Sequence, residues 1–298
     1  MALSLAEEKV LVIMGPTASG KSRLSVELAT RFSSEIINCD KMQVYKGLDI
    51  TTNKIPFEEQ LGIPHHLLGN IDSATHGDMS PMQYRYMASS LISQITARGN
   101  LPIIVGGSTS FIYALLAKHY NPDLDIFSGS SQMCSKLRYK CCLLWTDVSL
   151  PVLNQYISNR LEDMLDAGML DELAEFHQSE MAKLEPNTGV AKSIGVPEFE
   201  EYFRTYGCTK KSAVWEWDHM QRGLYKDAVK AVQENTCMLA KTQVEKIKCL
   251  QAGGWKIKRL DATKSFMALL EGSDSWWESW ETQVLEPSLN SVKNFLKS

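Results

Sequence analysis

Residues 15–22 read GPTASGKS and match the pattern G-x-x-x-x-G-K-[ST] without a mismatch. An apolar run over residues 10–14 precedes this stretch, and apolar residues at helical spacing follow it, which predicts a strand, a loop and a helix in that order. Such a loop directs backbone N–H groups, the positive end of the helix and a lysine ammonium toward one point. The stretch therefore predicts a receptor for a diphosphate or triphosphate, in preference to a chance glycine-rich turn.

The residues of this phosphate-binding loop have two expected tasks. The hydroxyl of Ser22, next to the lysine, is expected to hold a magnesium ion. The residues expected to bind phosphate are Gly15, Thr17, Ala18, Ser19, Gly20, Lys21 and Ser22. Because the loop recognises phosphate before it recognises the molecule that carries it, the rest of the chain must indicate the ligand.

A second polar group is predicted at the same edge of a parallel sheet. Residues 35–40 read as a short buried strand that ends in Asp40. Ligands bind at the carboxyl ends of parallel strands, so Asp40 is placed to share a pocket with the phosphate-binding loop. The spacing alone leaves open an aspartate that caps a turn or a helix. The polar stretch 41–54 that follows lacks helical periodicity, which indicates a binding loop.

A third predicted strand, residues 101–105, opens into Gly106, Gly107 and Ser108. Two glycines and a hydroxyl at a strand end indicate another substrate-facing loop, although the pattern is weak on its own. A P-loop kinase or ATPase often carries a metal-binding carboxylate at such a position. The nearest substitute here is Asp147, at the end of an apolar run over residues 143–147, and it has a structural alternative.

Composition limits the classes of partner. A net charge of −4 gives no global field for a long polyanion, which favours small substrates over DNA or tRNA, although a local basic groove would not appear in that sum. Seven cysteines without a regular framework indicate reduced thiols. No apolar run approaches the length of a membrane span. The nine residues before the first strand show neither a secretory signal nor a transit peptide, and a removed leader stays possible.

The second half of the chain is predicted to be helical. An apolar stripe at i,i+4 spacing over residues 153–165 places Arg160 on another part of the same helix, from which it either reaches a pocket or stays solvated. Residues 212–251 predict a long helix, and Trp276, Trp277 and Trp280 are expected to pack helices. The predicted fold is therefore α/β, with a P-loop parallel sheet and substrate loops in residues 1–150 and a mainly helical portion, residues 151–298, that completes the site.

Taken together, these motifs resemble the plant adenylate isopentenyltransferases, enzymes of cytokinin biosynthesis. The resemblance rests on GPTASGKS, NCDKMQVYKGLDITTNK, HHLLG, PIIVGGSTSFI, YKCCLLWTDVSLPVL, IGVPE, NTCMLA and WKIKRLDAT. The related tRNA dimethylallyltransferases share several of these motifs. Three features favour the free-nucleotide branch: the form of residues 49–54, the short region before Cys141, and the absence of any histidine after His219 that a Cys/His zinc finger would need.

The resemblance implies transfer of a dimethylallyl group from dimethylallyl diphosphate to N6 of AMP, ADP or ATP, with release of diphosphate and with Mg²⁺ as the cofactor. It implies that Asp40 accepts the N6 proton, that Ser108 holds the acceptor and the bridging oxygen, and that Gln43 contacts the base. The phosphate-binding loop would hold the donor diphosphate. Weaker candidates for phosphate contacts are Lys54, Arg160, Lys192 and Lys241.

Two alternatives and one departure accompany this hypothesis. A tRNA dimethylallyltransferase is the second reading, and a P-loop nucleotide kinase or ATPase is the third; neither DNA nor a membrane is an expected partner. The resemblance implies a plastid location, with the cytoplasm as the alternative. Plant relatives commonly carry an arginine where this chain has Thr242, and Lys241 points about 100° away on a helix. If that arginine binds the leaving diphosphate or the acceptor phosphates, Thr242 cannot replace its charge, and donor affinity or preference among acceptor phosphates would differ.

Overall fold

A computed structural model describes residues 8–128, 133–179, 188–207 and 217–298. In these ranges the chain forms one six-stranded sheet in which every pair of neighbours is parallel, with the order β3-β2-β4-β1-β5-β6. The strands are β1 (Lys9–Met14), β2 (Ser34–Asn38), β3 (His65–His66), β4 (Leu101–Gly106), β5 (Lys140–Asp147) and β6 (Ile257–Asp261).

Helices cover both faces of this sheet. They are α1 (Lys21–Ala29), α2 (Ser73–His76), α3 (Pro81–Ala97), α4 (Thr109–Leu116), α5 (Leu150–Asp166), α6 (Met169–Gln178), α7 (Val196–Tyr206), α8 (His219–Ala252), α9 (Thr263–Leu270), α10 (Trp276–Trp280) and α11 (Glu286–Lys297). Short 3₁₀ turns at Phe57–Gln60 and Gly189–Lys192, and a π-helical segment at Glu281–Leu285, complete the described secondary structure. No helix in these ranges is long and apolar enough to cross a membrane.

The sheet is buried on both faces because its central strands are apolar without alternation. In β1, Val10, Val12 and Met14 pack into one hydrophobic cluster, whereas Leu11 and Ile13 pack into the other. Continuous apolar strands of this kind are typical of parallel sheets with helices on both sides. The α/β fold predicted from the sequence is confirmed. Because the strands themselves are apolar, the polar groups lie at the strand ends.

Two strands were not predicted, the two-residue β3 and the edge strand β6. β6 lies in the second half of the chain and pairs with β5 at the sheet edge, so residues 151–298 also contribute to the sheet. Its sequence, IKRLD, buries only Leu260 and lacks the apolar run that marked the other strands. The long helix predicted over residues 212–251 is observed as α8, with 34 residues; residues 212–216 of that prediction lie outside the described residues.

A buried carboxylate ties β2 to its neighbours. Glu35 accepts hydrogen bonds from Arg98 Nε and Nη2 at 2.9 and 2.7 Å and from Asn100 Nδ2 at 2.9 Å, and it lies 2.7 Å from His66 Nε2. These bonds, that from Arg98 first, lower the pKa of Glu35 from 4.5 to about 2 against the opposing effect of burial. The carboxylate therefore stabilises the fold above its ordinary pKa.

We expect Glu35→Gln to lower the free energy of unfolding at pH 7 by about 2 kcal/mol, because a neutral amide replaces a buried, paired carboxylate. The stabilisation is present above the unfolded pKa near 4.5 and is lost as the pH falls toward about 2, so the difference between the two proteins shrinks over that interval. Urea unfolding at pH 7 and pH 3 measures this difference. A constant difference at both pH values contradicts it, and the exposed Glu58→Gln is the control.

Candidate active site

The carboxyl ends of the central strands open into a cleft of about 1120 Å³. Residues 17–22 of the phosphate-binding loop line this cleft together with Asp40, Gln43 and Arg160, whereas Gly15, also predicted to bind phosphate, does not line it. A smaller pocket of about 100 Å³ adjoins it, and Thr17, Asp40, Arg160 and Met164 line both spaces. The structure thus brings together the loop and the aspartate that the sequence placed at one sheet edge.

The phosphate-binding loop turns through two left-handed residues, Ala18 with φ 65° and Gly20 with φ 83°. Such a conformation directs successive N–H groups into one concavity, which suits an anion. Gly20 also permits a close approach, since a Cβ there would lie 2.7 Å from the ring of Trp280. The hydroxyl of the buried Ser19 bonds to Thr146 Oγ1 at 2.8 Å, which fixes the loop to the end of β5.

Lys21 begins α1 and carries the positive charge of the loop. Its Nζ donates to Pro16 O at 2.6 Å, a contact that holds the ammonium across the loop. Burial lowers the pKa of Lys21 to about 8; the negative charge of Asp40 opposes this shift and the positive charge of Arg160 adds to it. An ammonium held at such a pKa gains from the arrival of an anion, because the anion offsets the cost of its burial.

Arg160 on α5 faces the same loop. Its Nη2 donates to Thr17 Oγ1 at 3.2 Å, while its buried Nε has no hydrogen-bond partner among the described residues. Burial also lowers the pKa of Arg160. A half-buried guanidinium with a buried, unused N–H favours an acceptor, and the cleft that Arg160 lines has room for an anion such as a diphosphate. Of the two positions that the sequence allowed, Arg160 therefore takes the one at the pocket.

Asp40 lies just beyond β2 and performs both tasks that the sequence left open. Its Oδ1 accepts from Met42 N at 3.0 Å, which closes a turn. Its side chain also lines the cleft and the smaller pocket, and no hydrogen bond to Oδ2 is present within the described residues. One oxygen therefore fixes the carboxylate, and the other is available to a ligand.

Ser108 supports the segment that carries Asp40. Its Oγ accepts from Lys41 N at 2.9 Å, and its backbone N–H donates to Cys39 O at 3.2 Å. Ser108 is not among the residues that line the cleft. Gly106 serves the same junction, because a Cβ there would lie 2.0 Å from Cys39 O. Residues 106–108 therefore pack the ends of β2 and β4 closely together, and Ser108 bonds to the backbone on both sides of Asp40.

The polar stretch predicted as a binding loop forms one wall of the cleft. Gln43 lines the cleft, and its Nε2 donates to Thr52 O at 3.0 Å and to Asn53 O at 3.1 Å. Lys54 also lines the cleft, and its ammonium lies 2.6 Å from Asp49 Oδ1. Both side chains therefore fold the loop on itself in addition to facing the cleft.

Three other predicted residues lie away from the cleft lining. Lys192 forms an ion pair with Asp78, and Lys241 is exposed on α8. Asp147 pairs with Arg259 Nε at 2.6 Å, which supports its structural alternative. The structure therefore brings neither of these two lysines, nor the carboxylate at the end of β5, to the cleft.

Gln243 is a residue of the site to which the sequence assigned no role. It is buried on α8, and its Oε1 accepts from Thr17 N at 2.7 Å. A Cβ on Gly107 would lie 2.3 Å from Gln243 Nε2, so the second glycine makes room for this amide. The neighbouring Thr242 donates to Met238 O on its own helix at 3.0 Å. The helix that carries the departure from the family pattern thus reaches the phosphate-binding loop through Gln243.

Apolar and polar side chains line the smaller pocket, here called the apolar pocket, in equal number; Asp40 and Arg160 are among the polar ones, and the apolar ones come from four parts of the chain. The apolar ones are Met42, Ile157, Leu161, Met164, Met169, Ile194, Val232 and Leu239. Ser193 also lines this pocket; it is buried, and its hydroxyl has no hydrogen-bond partner within the described residues. A small pocket with this apolar side, beside a phosphate site, suits a short hydrocarbon tail attached to a phosphate.

The C-terminal tryptophans were expected from the sequence only to pack helices, but Trp276 and Trp280 also line the cleft. Trp280 is buried against Gly20 and donates to Glu27 Oε2 at 2.8 Å, and it also lines the cleft. The guanidinium of Arg23 stacks 4.3 Å from the ring centroid of Trp276, which lines the cleft as well. These side chains form an aromatic part of the cleft wall beside the phosphate-binding loop.

The protein groups beside the phosphate-binding loop fit a metal ion whose ligands come mainly from a bound substrate. No cluster of three or more His, Cys, Asp or Glu suited to a metal occurs in the described ranges. The exposed hydroxyl of Ser22, at the first turn of α1, lines the cleft beside the phosphate-binding loop. Mg²⁺ commonly takes one or two protein ligands together with phosphate oxygens and water, so one hydroxyl beside a phosphate cradle suits it.

Known proteins are similar to this chain in sequence and in fold. Residues 43–132 and 126–248 match the family model described as IPP transferase. The chain is 49% identical over 294 residues to adenylate isopentenyltransferase 1, chloroplastic, of Arabidopsis thaliana, with 97% of this chain and 82% of that protein covered. It is 48% identical to the adenylate isopentenyltransferase of Humulus lupulus, with 95% and 89% covered.

Two solved structures with a similar fold are of enzymes whose titles name tRNA. A eukaryotic dimethylallyltransferase acting on tRNA has a TM-score of 0.75 and 25% identity, over 97% of this chain and 80% of that chain. The tRNA isopentenylpyrophosphate transferase of Bacillus halodurans has a TM-score of 0.67 and 23% identity, over 93% and 99%, and this similarity concerns the fold alone.

Proposed function

The chain belongs to the IPP transferase family and, within it, to the adenylate isopentenyltransferases, and from this premise we propose that it transfers a dimethylallyl group from dimethylallyl diphosphate to N6 of AMP, ADP or ATP. Diphosphate is the second product, and the prenylated nucleotide enters cytokinin biosynthesis. One observation carries the proposal: the phosphate-binding loop, Asp40 and an apolar pocket meet at a single cleft. A donor of this kind needs a phosphate cradle beside a dry pocket, and its acceptor needs a base.

The acceptor amine is a poor nucleophile because its lone pair is delocalised into the adenine ring. The free oxygen of the Asp40 carboxylate faces the cleft, where it accepts a proton from N6 as the new C–N bond forms. Met42 N and the Ser108–Lys41 bond hold this carboxylate in place before the reaction. Asp40 is thus the base, and Ser108 acts as its support.

The donor loses diphosphate as its C–O bond breaks, and negative charge accumulates on the leaving group. The N–H groups of the loop, the Lys21 ammonium and the unused N–H of Arg160 stabilise this charge. Bound Mg²⁺, with Ser22 as its protein ligand, would neutralise part of the same charge. The hydrocarbon tail enters the apolar pocket, which excludes the water that would otherwise capture the allylic carbon.

A plastid location is part of the proposal, because several of the similar proteins are named chloroplastic. A second candidate is prenylation of an adenosine in tRNA, which the titles of the structural neighbours favour. Free nucleotides take precedence here because the identity to adenylate isopentenyltransferases is about twice the identity to those neighbours.

Product analysis tests this function. The protein is incubated with Mg²⁺ and dimethylallyl diphosphate, and AMP, ADP, ATP or an anticodon stem-loop RNA is offered as the acceptor. We expect N6-prenylated free nucleotide as the product. Product on the RNA alone supports the tRNA candidate, and transfer or hydrolysis of the γ-phosphate without prenylation supports a kinase or ATPase.

We predict that Ser193→Ala lowers the KM for dimethylallyl diphosphate about threefold and leaves the thermal midpoint unchanged. The reason is that the buried hydroxyl has no hydrogen-bond partner among the described residues, so its removal costs no hydrogen bond and makes this part of the wall more apolar. Steady-state kinetics with the donor as the varied substrate measures the change. A KM that rises severalfold would show that the hydroxyl has a role in binding.

A further inference from the structure

Residues 48–54, here called the wall loop, are held in a conformation that the chain does not adopt readily. Leu48 has φ 52° and Asn53 has φ 51°, in the left-handed region that residues with a Cβ rarely occupy. Such a loop keeps its shape only where its surroundings determine it. The side chains that bond to the wall loop therefore determine where it lies relative to the cleft.

Glu172 holds the wall loop from behind the cleft. Its Oε1 accepts from Ile50 N at 3.0 Å, and its Oε2 accepts from both Thr51 N and Thr51 Oγ1 at 2.7 Å. Thr51 is buried, whereas Glu172 lies on α6 and is not among the residues that line either space. A carboxylate with three short bonds to one loop fixes that loop more firmly than a neutral side chain can.

The wall loop stands where the cleft and the apolar pocket meet. Thr52 and Asn53 line both spaces, and Gln43 binds their carbonyl oxygens from the cleft side. The loop is thus fixed by Gln43 in front and by Glu172 behind. A shift of this loop would open the apolar pocket to water and move a surface of the acceptor site at the same time.

We propose that Glu172 is a positioning residue for prenyl transfer, which keeps the wall loop closed so that the donor's allylic carbon meets the acceptor amine and not water. This inference rests on the proposed function. The side reaction that it suppresses is defined: water attacks the allylic carbon, the C–O bond to diphosphate breaks, water gives up a proton, and the products are dimethylallyl alcohol and diphosphate.

Four variants test the proposal: Glu172→Ala, Glu172→Gln, Thr51→Val and the control Glu175→Gln. Glu175 is an exposed glutamate on the same helix. For each variant, the ratio of dimethylallyl alcohol to prenylated AMP and the kcat and KM for AMP are measured, together with the thermal midpoint. Glu172→Gln has the size of the native residue, so it keeps the test available if the alanine variant does not fold.

We expect Glu172→Ala to lower kcat/KM for AMP about tenfold or more and to raise the fraction of donor lost as alcohol severalfold. Glu172→Gln should give an intermediate result, because an amide oxygen replaces one acceptor but its NH₂ group cannot accept. Thr51→Val removes one of the three bonds and should have a smaller effect. The Glu175→Gln control should match the unmodified protein in both the ratio and the rate.

A lower thermal midpoint with an unchanged ratio of alcohol to product in both Glu172 variants would overturn the proposal, because it would leave Glu172 with a structural role only. Failure of the proposed function is distinguishable, since the unmodified protein itself would then yield no prenylated AMP.

Discussion

Replacing Asp40 with asparagine is expected to lower kcat for N6 prenylation about 10³-fold while the donor still binds. Asparagine keeps the size of the side chain, and its oxygen can still accept from Met42 N, so the turn that fixes the group is preserved. The amide cannot take a proton from the acceptor amine. The loss should therefore appear in kcat and leave the affinity for dimethylallyl diphosphate within about threefold, as measured by calorimetry with Mg²⁺ and no acceptor.

A matched substitution separates this effect from a general change of charge. Asp123 is exposed in the segment after α4 and lies outside the cleft lining, so Asp123→Asn removes the same charge at a distant place. It should leave turnover unchanged. Turnover of Asp40→Asn close to that of Asp123→Asn would remove Asp40 from its role as the base.

Removing the ammonium of the phosphate-binding loop should act on the donor. Lys21→Met keeps the length of the side chain but no positive charge, and we expect kcat/KM for dimethylallyl diphosphate to fall about 10²- to 10³-fold, because the charge that grows on the leaving group loses a principal partner. Lys118→Met, at an exposed position outside the cleft lining, is the control.

The pH dependence of the unmodified protein gives a second readout of the same residue. The pKa of Lys21 is lowered to about 8, so its positive charge is present below that pH and is lost above it. Since donor binding needs the charged form, kcat/KM for the donor should decline as the pH rises through about 8. In Lys21→Met this decline should be absent. A profile with the same alkaline decline in both proteins would assign it to another group.

The parts of the site that the sequence predicted are those formed by contiguous residues. The phosphate-binding loop encodes its own geometry in eight residues, and Asp40 follows from the rule that parallel strands present their carboxyl ends at one edge. Arg160 was placed on the correct helix, but periodicity alone did not decide between the pocket and solvent. Its orientation depends on how α5 packs over the loop, which no local pattern specifies.

The parts that were missed come from distant segments. Gln243 caps Thr17 across 226 positions of sequence, and Glu172 holds Ile50 across 122. β6 was missed for a related reason, since an edge strand with one buried residue carries no apolar run. Ser108 was predicted at the correct junction, but its contact is with the backbone that carries Asp40. Tertiary packing decides which of these distant residues come into contact, and the spacing of residues along the sequence does not specify it.

The most direct test of the central claim is a crystal structure of the protein with AMP, Mg²⁺ and an unreactive analogue of dimethylallyl diphosphate. In the expected arrangement, the diphosphate of the analogue lies in the phosphate-binding loop against Lys21 and Arg160, its hydrocarbon tail fills the apolar pocket, and adenine N6 lies within hydrogen-bond distance of Asp40. The nucleotide's own phosphate in that loop, with the analogue bound elsewhere, would contradict it.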